Sequence, residues 1–159
     1  MSISTKSVQE THAPGSICFG CGPSNQKGLR IRSFADPKGN GLLCEWEPDS
    51  HHEAFPGMLS GGIVGTLLDC HSNWTAAMYL KQARGLDEPP CTVTADFHVR
   101  LLRPTPSGTT IHMKSEVLEH EGDKVRVRAT LNAGGKDTAT CEGTFVAVRE
   151  GHPAYHRWQ

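Results

Sequence analysis

GMLSGGIVGTLLDC, residues 57–70, is the stretch on which the reading of this chain turns. The pair Gly61-Gly62 opens a helix, and one carboxylate, Asp69, sits two turns inside it. A helix N-terminus presents unpaired backbone N–H groups and a partial positive charge. Such an end can hold an oxyanion, and glycines let another molecule approach the backbone. A carboxylate on the same helix can serve as base or nucleophile. Donor and base in one short segment point to acyl-transfer chemistry.

At 100° per residue, Ile63, Leu67, Cys70, Trp74 and Ala77 share one stripe of this helix, which would pack on a sheet. Gly62, Gly65, Asp69, Asn73 and Ala76 fall roughly opposite, on a face that is small rather than charged. A mid-helix glycine costs about 1 kcal/mol relative to alanine. The expectation is that another backbone or a ligand comes close there, with Asp69 at the centre. His71 lies about 200° from Asp69 around the helix and is expected as a hydrogen-bonded core histidine.

Outward from the helix, the chain reads as strands. Leu29 to Phe34 and Leu42 to Trp46 precede it, around a turn at residues 36–41. The helix runs from Gly61 to about Gln82 and stops before Gly85 and Pro89-Pro90. From Val93 the pattern alternates. Val93, Ala95, Phe97, Val99 and Leu101 are assigned to one face, and Thr94, Asp96, His98 and Arg100 to the other. Thr109–Leu118, Lys124–Leu131 and Thr138–Val148 complete four strands joined by hairpin loops. In the third, Val125, Val127, Ala129 and Leu131 face inward. Two strands, one long helix and four strands make an antiparallel α+β layer architecture. Residues 1–17 read as a mobile leader, 18–150 as the domain and 151–159 as a surface tail.

The 159 residues suit one domain. A net charge of −1 supplies no basic field for nucleic acid. No apolar run reaches the roughly 20 residues that span a bilayer. The N-terminus lacks the apolar core of a signal peptide, so a cytoplasmic location is expected. Of six cysteines, Cys18 and Cys21 form a CxxC pair with no second ligand pair following. Reduced cytosolic thiols are preferred to a zinc site, and CFGCG reads as a tight turn. The adjacent His51 and His52 are not expected to chelate an ion, so neither metal nor cofactor is expected.

Four segments in order give the chain a family resemblance: CFGCGPSNQKGLRI (18–31), PGMLSGGIVGTLLD (56–69), TADFHVRLLRPTP (94–106) and CEGTFVAV (141–148). With them the chain resembles the hotdog-fold acyl-CoA thioesterases, in particular the phenylacetyl-CoA (PaaI-like) group. The resemblance implies a helix wrapped by a curved antiparallel sheet. It also implies a homodimer, often paired into a tetramer, with active sites between subunits. In the family an HGG motif opens the helix, and an acidic residue follows nine positions after the His. Ser60 stands at the His position, Gly61 and Gly62 match, and Asp69 has the expected spacing.

By this resemblance the Gly61 N–H polarises the thioester carbonyl. Asp69 activates water or attacks directly, and Thr94 assists from the following strand. Ser60, Gly62, Asn73, Arg100 and Arg103 are candidates for substrate binding, the arginines toward coenzyme A phosphates. Two positions depart from the family. Ser60 replaces the motif His, and Ala54 replaces an Asn that positions water, leaving His51, His52 or Glu53 as stand-ins. A pocket of Phe55, Met58 and Trp74 would favour aromatic or medium acyl chains. The alternatives are a non-catalytic acyl-CoA-binding protein and a hotdog dehydratase or hydratase. Ser60 argues against the latter, because those relatives use a His near the helix start.

Overall fold

A computed structural model describes residues 5–159. The elements are α1 (Val8–His12), β1 (Ser33–Ala35), β2 (Leu42–Trp46), β3 (Glu53–Phe55), β4 (Met58–Leu59), α2 (Gly61–Ala83), β5 (Thr92–Leu101), β6 (Ile111–Glu121), β7 (Lys124–Ala133) and β8 (Lys136–Ala147). Six strands form one antiparallel sheet in the order β1-β2-β6-β7-β8-β5, and β3 and β4 form a small hairpin ahead of α2. The α+β expectation and its strand–helix–strand order hold.

The sheet follows from alternation. Val125, Val127, Ala129 and Leu131 of β7 are fully buried against α2 and its neighbours. Arg126 and Arg128, between them, point outward and pair with Glu119, Glu116 and Glu142. Exposed pairs of this kind contribute under about 1 kcal/mol each, so burial of the inner face fixes the register.

α2 is more enclosed than the two-stripe reading expects. Every residue from Cys70 to Ala77 is buried. Asn73 and Ala76, placed on the face left for a ligand, instead meet the chain's own strands. Asn73 Nδ2 donates to the Thr92 carbonyl, and Ala76 packs with Val125, Val127 and Phe145. The small residues let the sheet close around the helix. Exposed or half-buried surface is kept at the two ends of the helix: in the first turns, with Gly61, Gly62, Gly65 and Asp69, and in the last, from Met78 on.

Three boundaries differ from the sequence reading. β1 is shorter and later than Leu29–Phe34, because Arg30 has φ 52° and breaks the extended run. The leader contributes to the fold from Ser7 onward; its first four residues lie outside the described residues. Ser7 and Glu10 close a capping box on α1, and Gln9 is fully buried against Ser33. The tail is not all surface: Trp158 is buried and stacks on Trp74, with ring centroids 4.1 Å apart. Both end segments therefore join the core on which residues 18–150 fold.

Gly41 is required by close approach, since a Cβ there would lie 1.9 Å from the Ser115 carbonyl oxygen. Backbone cannot yield that distance locally. Gly41→Ala is expected to destabilise the fold by at least about 2 kcal/mol, read as a lower urea midpoint at unchanged slope.

Candidate functional site at the start of α2 and on Asp69

The N-terminus of α2 is capped by Ser60, which has extended backbone and whose Oγ accepts from the Gly62 N–H at 3.3 Å. The Ser60 N–H in turn donates to the His52 carbonyl, which ties the helix entry to the loop before β3. Gly61, exposed, follows the cap as the next backbone donor of the first turn. A Cβ at Gly61 would come within 3.2 Å of Leu101 Cδ1, so glycine keeps this end open beside β5.

A cleft of about 470 Å³ opens at the same place, between Gly61, Phe55, Met58, Leu101 and Arg103. Phe55 and Met58 line it as expected. Trp74 does not, because it is buried under Trp158.

Asp69 lies farther along α2 and is half-buried. Thr94 Oγ1 donates to its Oδ1 at 2.6 Å. This contact depends on a bulge in β5. Thr94 pairs with Phe145, but the next partners are Asp96 with Thr144 and Phe97 with Gly143. The extra residue inverts the parity of the strand. Thr94 therefore shares the helix-facing side with Phe97, Val99 and Leu101, rather than the opposite face that strict alternation assigns. The bulge aims the hydroxyl at the carboxylate.

Burial pushes the Asp69 carboxyl above its ordinary range; the Thr94 hydrogen bond and the Arg157 charge hold it down, while the Cys18 sulfur adds to the rise.

The remaining candidates separate. Arg103 lies at the cleft. Arg100 pairs with Thr140 on the outer face of the sheet, away from Asp69. Asn73 is an anchor between α2 and β5. His52 is buried against Trp46 and its Nδ1 accepts from the Asp49 N–H. The Glu53 carboxylate accepts from the Gly57 N–H and closes the β3–β4 turn. Of the three stand-ins for the missing Asn, His51 alone is exposed. His71 is the expected core histidine, fully buried between Ser33 and Leu42.

Two features escaped sequence reasoning. Arg157, in the tail, reaches the Thr92 carbonyl and acts on Asp69. Cys70, on α2, meets Cys18 and Cys21. Neither carries a local signal, because the contacts join segments far apart in the chain, 52 residues for Cys18–Cys70 and 65 for Arg157–Thr92.

No family model matches the chain. Solved structures do. A thioesterase superfamily protein from Shewanella loihica PV-4 is 26% identical over 75% of this chain and 91% of its own, with a TM-score of 0.62. The E. coli PaaI protein from the phenylacetic acid degradation operon is 14% identical over 76% and 81%, with a TM-score of 0.64. A thioesterase from Thermus thermophilus, complexed with coenzyme A and Zn, is 15% identical over 76% and 88%, with a TM-score of 0.57. With one long helix enclosed by a six-stranded antiparallel sheet, these likenesses identify the chain as a hotdog-fold protein resembling the PaaI-like thioesterases.

Proposed function

We propose that the chain hydrolyses acyl-CoA thioesters at a site completed by two copies. The observation that carries this reading is Asp69, a half-buried carboxylate held by Thr94 on the helix whose open end bears Gly61. Thioesterase-superfamily neighbours support a thioester hydrolase at the family level, and one of them is complexed with coenzyme A.

The Gly61 N–H would hold the carbonyl oxygen as it becomes an oxyanion. Asp69 would take a proton from water attacking the carbonyl carbon, or attack that carbon itself. With Oδ1 held by Thr94, Oδ2 would be the oxygen that meets the nucleophile. In the water route, collapse of the tetrahedral intermediate expels the coenzyme A thiolate, which takes the proton from Asp69, and leaves a carboxylic acid. In the direct route, collapse expels the thiolate and leaves a mixed anhydride on Asp69, which water then hydrolyses to the free acid and the regenerated carboxylate. A thiolate leaves readily, so no strong general acid is required.

Gly61 and Asp69 are eight residues apart on one helix, about 12 Å along its axis. One acyl carbon cannot lie about 3 Å from both, so the donor of one copy would face the carboxylate of another. The exposed edge strand β5 fits that role. Among the described residues it pairs only with β8, and it carries exposed Phe97 and Leu101. A homodimer, and by the family resemblance a dimer of dimers, is the assembly proposed. None of the described helices is long and apolar enough to cross a membrane. A cytoplasmic location accords with six cysteines outside any disulfide.

Thr94→Val is expected to lower kcat by roughly 10- to 100-fold, the worth of a hydrogen bond to a charged group, with a smaller change in KM. Steady-state kinetics on a turned-over acyl-CoA would show it, and a change in KM alone would count against the positioning role.

Ala54 and Ser60, in place of the family's Asn and His, favour a second reading, acyl-CoA binding without turnover. A thiol-release assay over a panel of acyl-CoAs, run beside calorimetry, separates the two. Release that depends on Asp69 supports the enzyme. Tight binding with no release supports the binding protein.

A further inference from the structure

The sulfurs of Cys18, Cys21 and Cys70 all lie within 4.8 Å of one another. Cys18 Sγ and Cys70 Sγ are 3.8 Å apart. Thiolates at about 2.3 Å from a tetrahedral zinc are separated by roughly the same 3.8 Å. A disulfide would need about 2.05 Å.

The loop is shaped for this approach. A Cβ at Gly20 would lie 2.3 Å from Cys70 Sγ, so only glycine lets the loop press its sulfurs onto α2. A Cβ at Gly22 would lie 2.4 Å from the Cys18 nitrogen, and the Gly22 N–H donates to the Cys18 carbonyl at 2.8 Å. The turn at CFGCG thus forms as expected, and it places two thiols against a third.

The three sulfurs are not placed alike. Contacts from Cys21 and Cys70, helped by the backbone N–H groups of Cys21 and Gly20, hold the Cys18 thiol down, while the Cys18 sulfur and burial push the Cys21 and Cys70 thiols up. The buried Trp74 indole N–H beside them has no hydrogen-bond partner among the described residues. Cys21 and Cys70 are buried, and several negative sulfurs in such a place require a cation. Three sulfur ligands select a soft or borderline divalent ion of the zinc class.

We propose that Cys18, Cys21 and Cys70 form a zinc-class metal site that clamps the Cys18–Gly22 loop to α2, with solvent at the fourth position. Cys18 is half-buried, which gives water access to that position. Binding exchanges the thiol protons for the ion. The sequence reading, which expects no metal, looks for a second ligand pair; here a single cysteine on the helix supplies the third ligand. The site does not depend on the thioesterase reading. Cys70 adjoins Asp69, so the clamp fixes the helix turn from which that carboxylate projects.

The test uses the full chain, prepared reduced, with zinc content measured by mass spectrometry and cobalt(II) as a spectroscopic replacement. One equivalent per chain is expected, and the cobalt form should show thiolate-to-metal charge-transfer bands with intense tetrahedral visible bands. Cys21→Ser and Cys70→Ser are each expected to weaken zinc binding by at least about the 100-fold that loss of an outer-shell partner can cost. Cys91→Ser should leave binding unchanged. A buried Cys→Ser change can itself loosen the fold, so the cobalt spectrum of the unaltered chain is read independently. A reduced, folded chain that binds neither ion overturns the proposal, as does a cobalt spectrum without thiolate bands.

Discussion

Asp69→Asn is expected to lower kcat for acyl-CoA hydrolysis by at least about 100-fold, the scale of a general base or nucleophile removed. The amide keeps the volume of the carboxylate and can still accept from Thr94 Oγ1 through its carbonyl oxygen. Packing at the half-buried position is thereby preserved, and the loss reports chemistry rather than collapse. Retention of the wild-type melting temperature and of acyl-CoA affinity by calorimetry would confirm that separation. Wild-type turnover in the Asn variant, on a substrate the parent hydrolyses, would remove Asp69 from the mechanism.

The stability of the fold should also fall by about 3 kcal/mol as pH drops from 6.5 toward 4, owing to His71. Its ring is fully buried, and burial lowers its pKa from 6.5 to about 4, against the opposing pull of the Leu42 carbonyl. That carbonyl can only accept, so Nε2 carries the proton and donates at 3.1 Å. Nδ1 then accepts from Ser33 Oγ at 2.9 Å, and Ser33 Oγ accepts from Gln9 Nε2 at 3.0 Å. Every partner of this chain is matched to a neutral ring.

Between pH 6.5 and 4 the unfolded chain binds a proton here that the folded chain refuses. Stability is therefore complete above the unfolded value and declines as pH falls through that window. A change of this size is a large part of the roughly 5–15 kcal/mol that typically holds a domain together. His71→Leu should flatten the slope, at the cost of leaving the Leu42 carbonyl and Ser33 hydroxyl short of a partner at neutral pH. Urea titrations of both proteins across the window provide the measurement. Parallel pH slopes would show that His71 does not titrate as described.

Much of the architecture was legible because it is encoded locally. The alternation from Lys124 to Leu131 assigns one face of β7 correctly, since a period of two needs no knowledge of partners. Gly61 marks the start of α2, and Leu42–Trp46 is β2 to the residue. The capping box at Ser7 was equally local and was readable as a helix start, although the segment reads at first as a leader. The candidate site was half legible. Gly61 and Asp69 follow from one segment and its spacing.

By itself, then, the sequence determined the α+β order, the inner face of β7 and the position of Asp69 on its helix, because periodicity and turn chemistry act over a few residues. Tertiary structure alone decided which way Thr94 points, because one extra residue in the β5–β8 pairing inverts the parity that alternation predicts. It alone showed that Asn73 and Ala76 meet the chain's own sheet, since burial depends on what surrounds a helix and not on its faces. It brought Trp158 onto Trp74 and Cys18 and Cys21 onto Cys70, contacts between distant segments that only the closed chain can make.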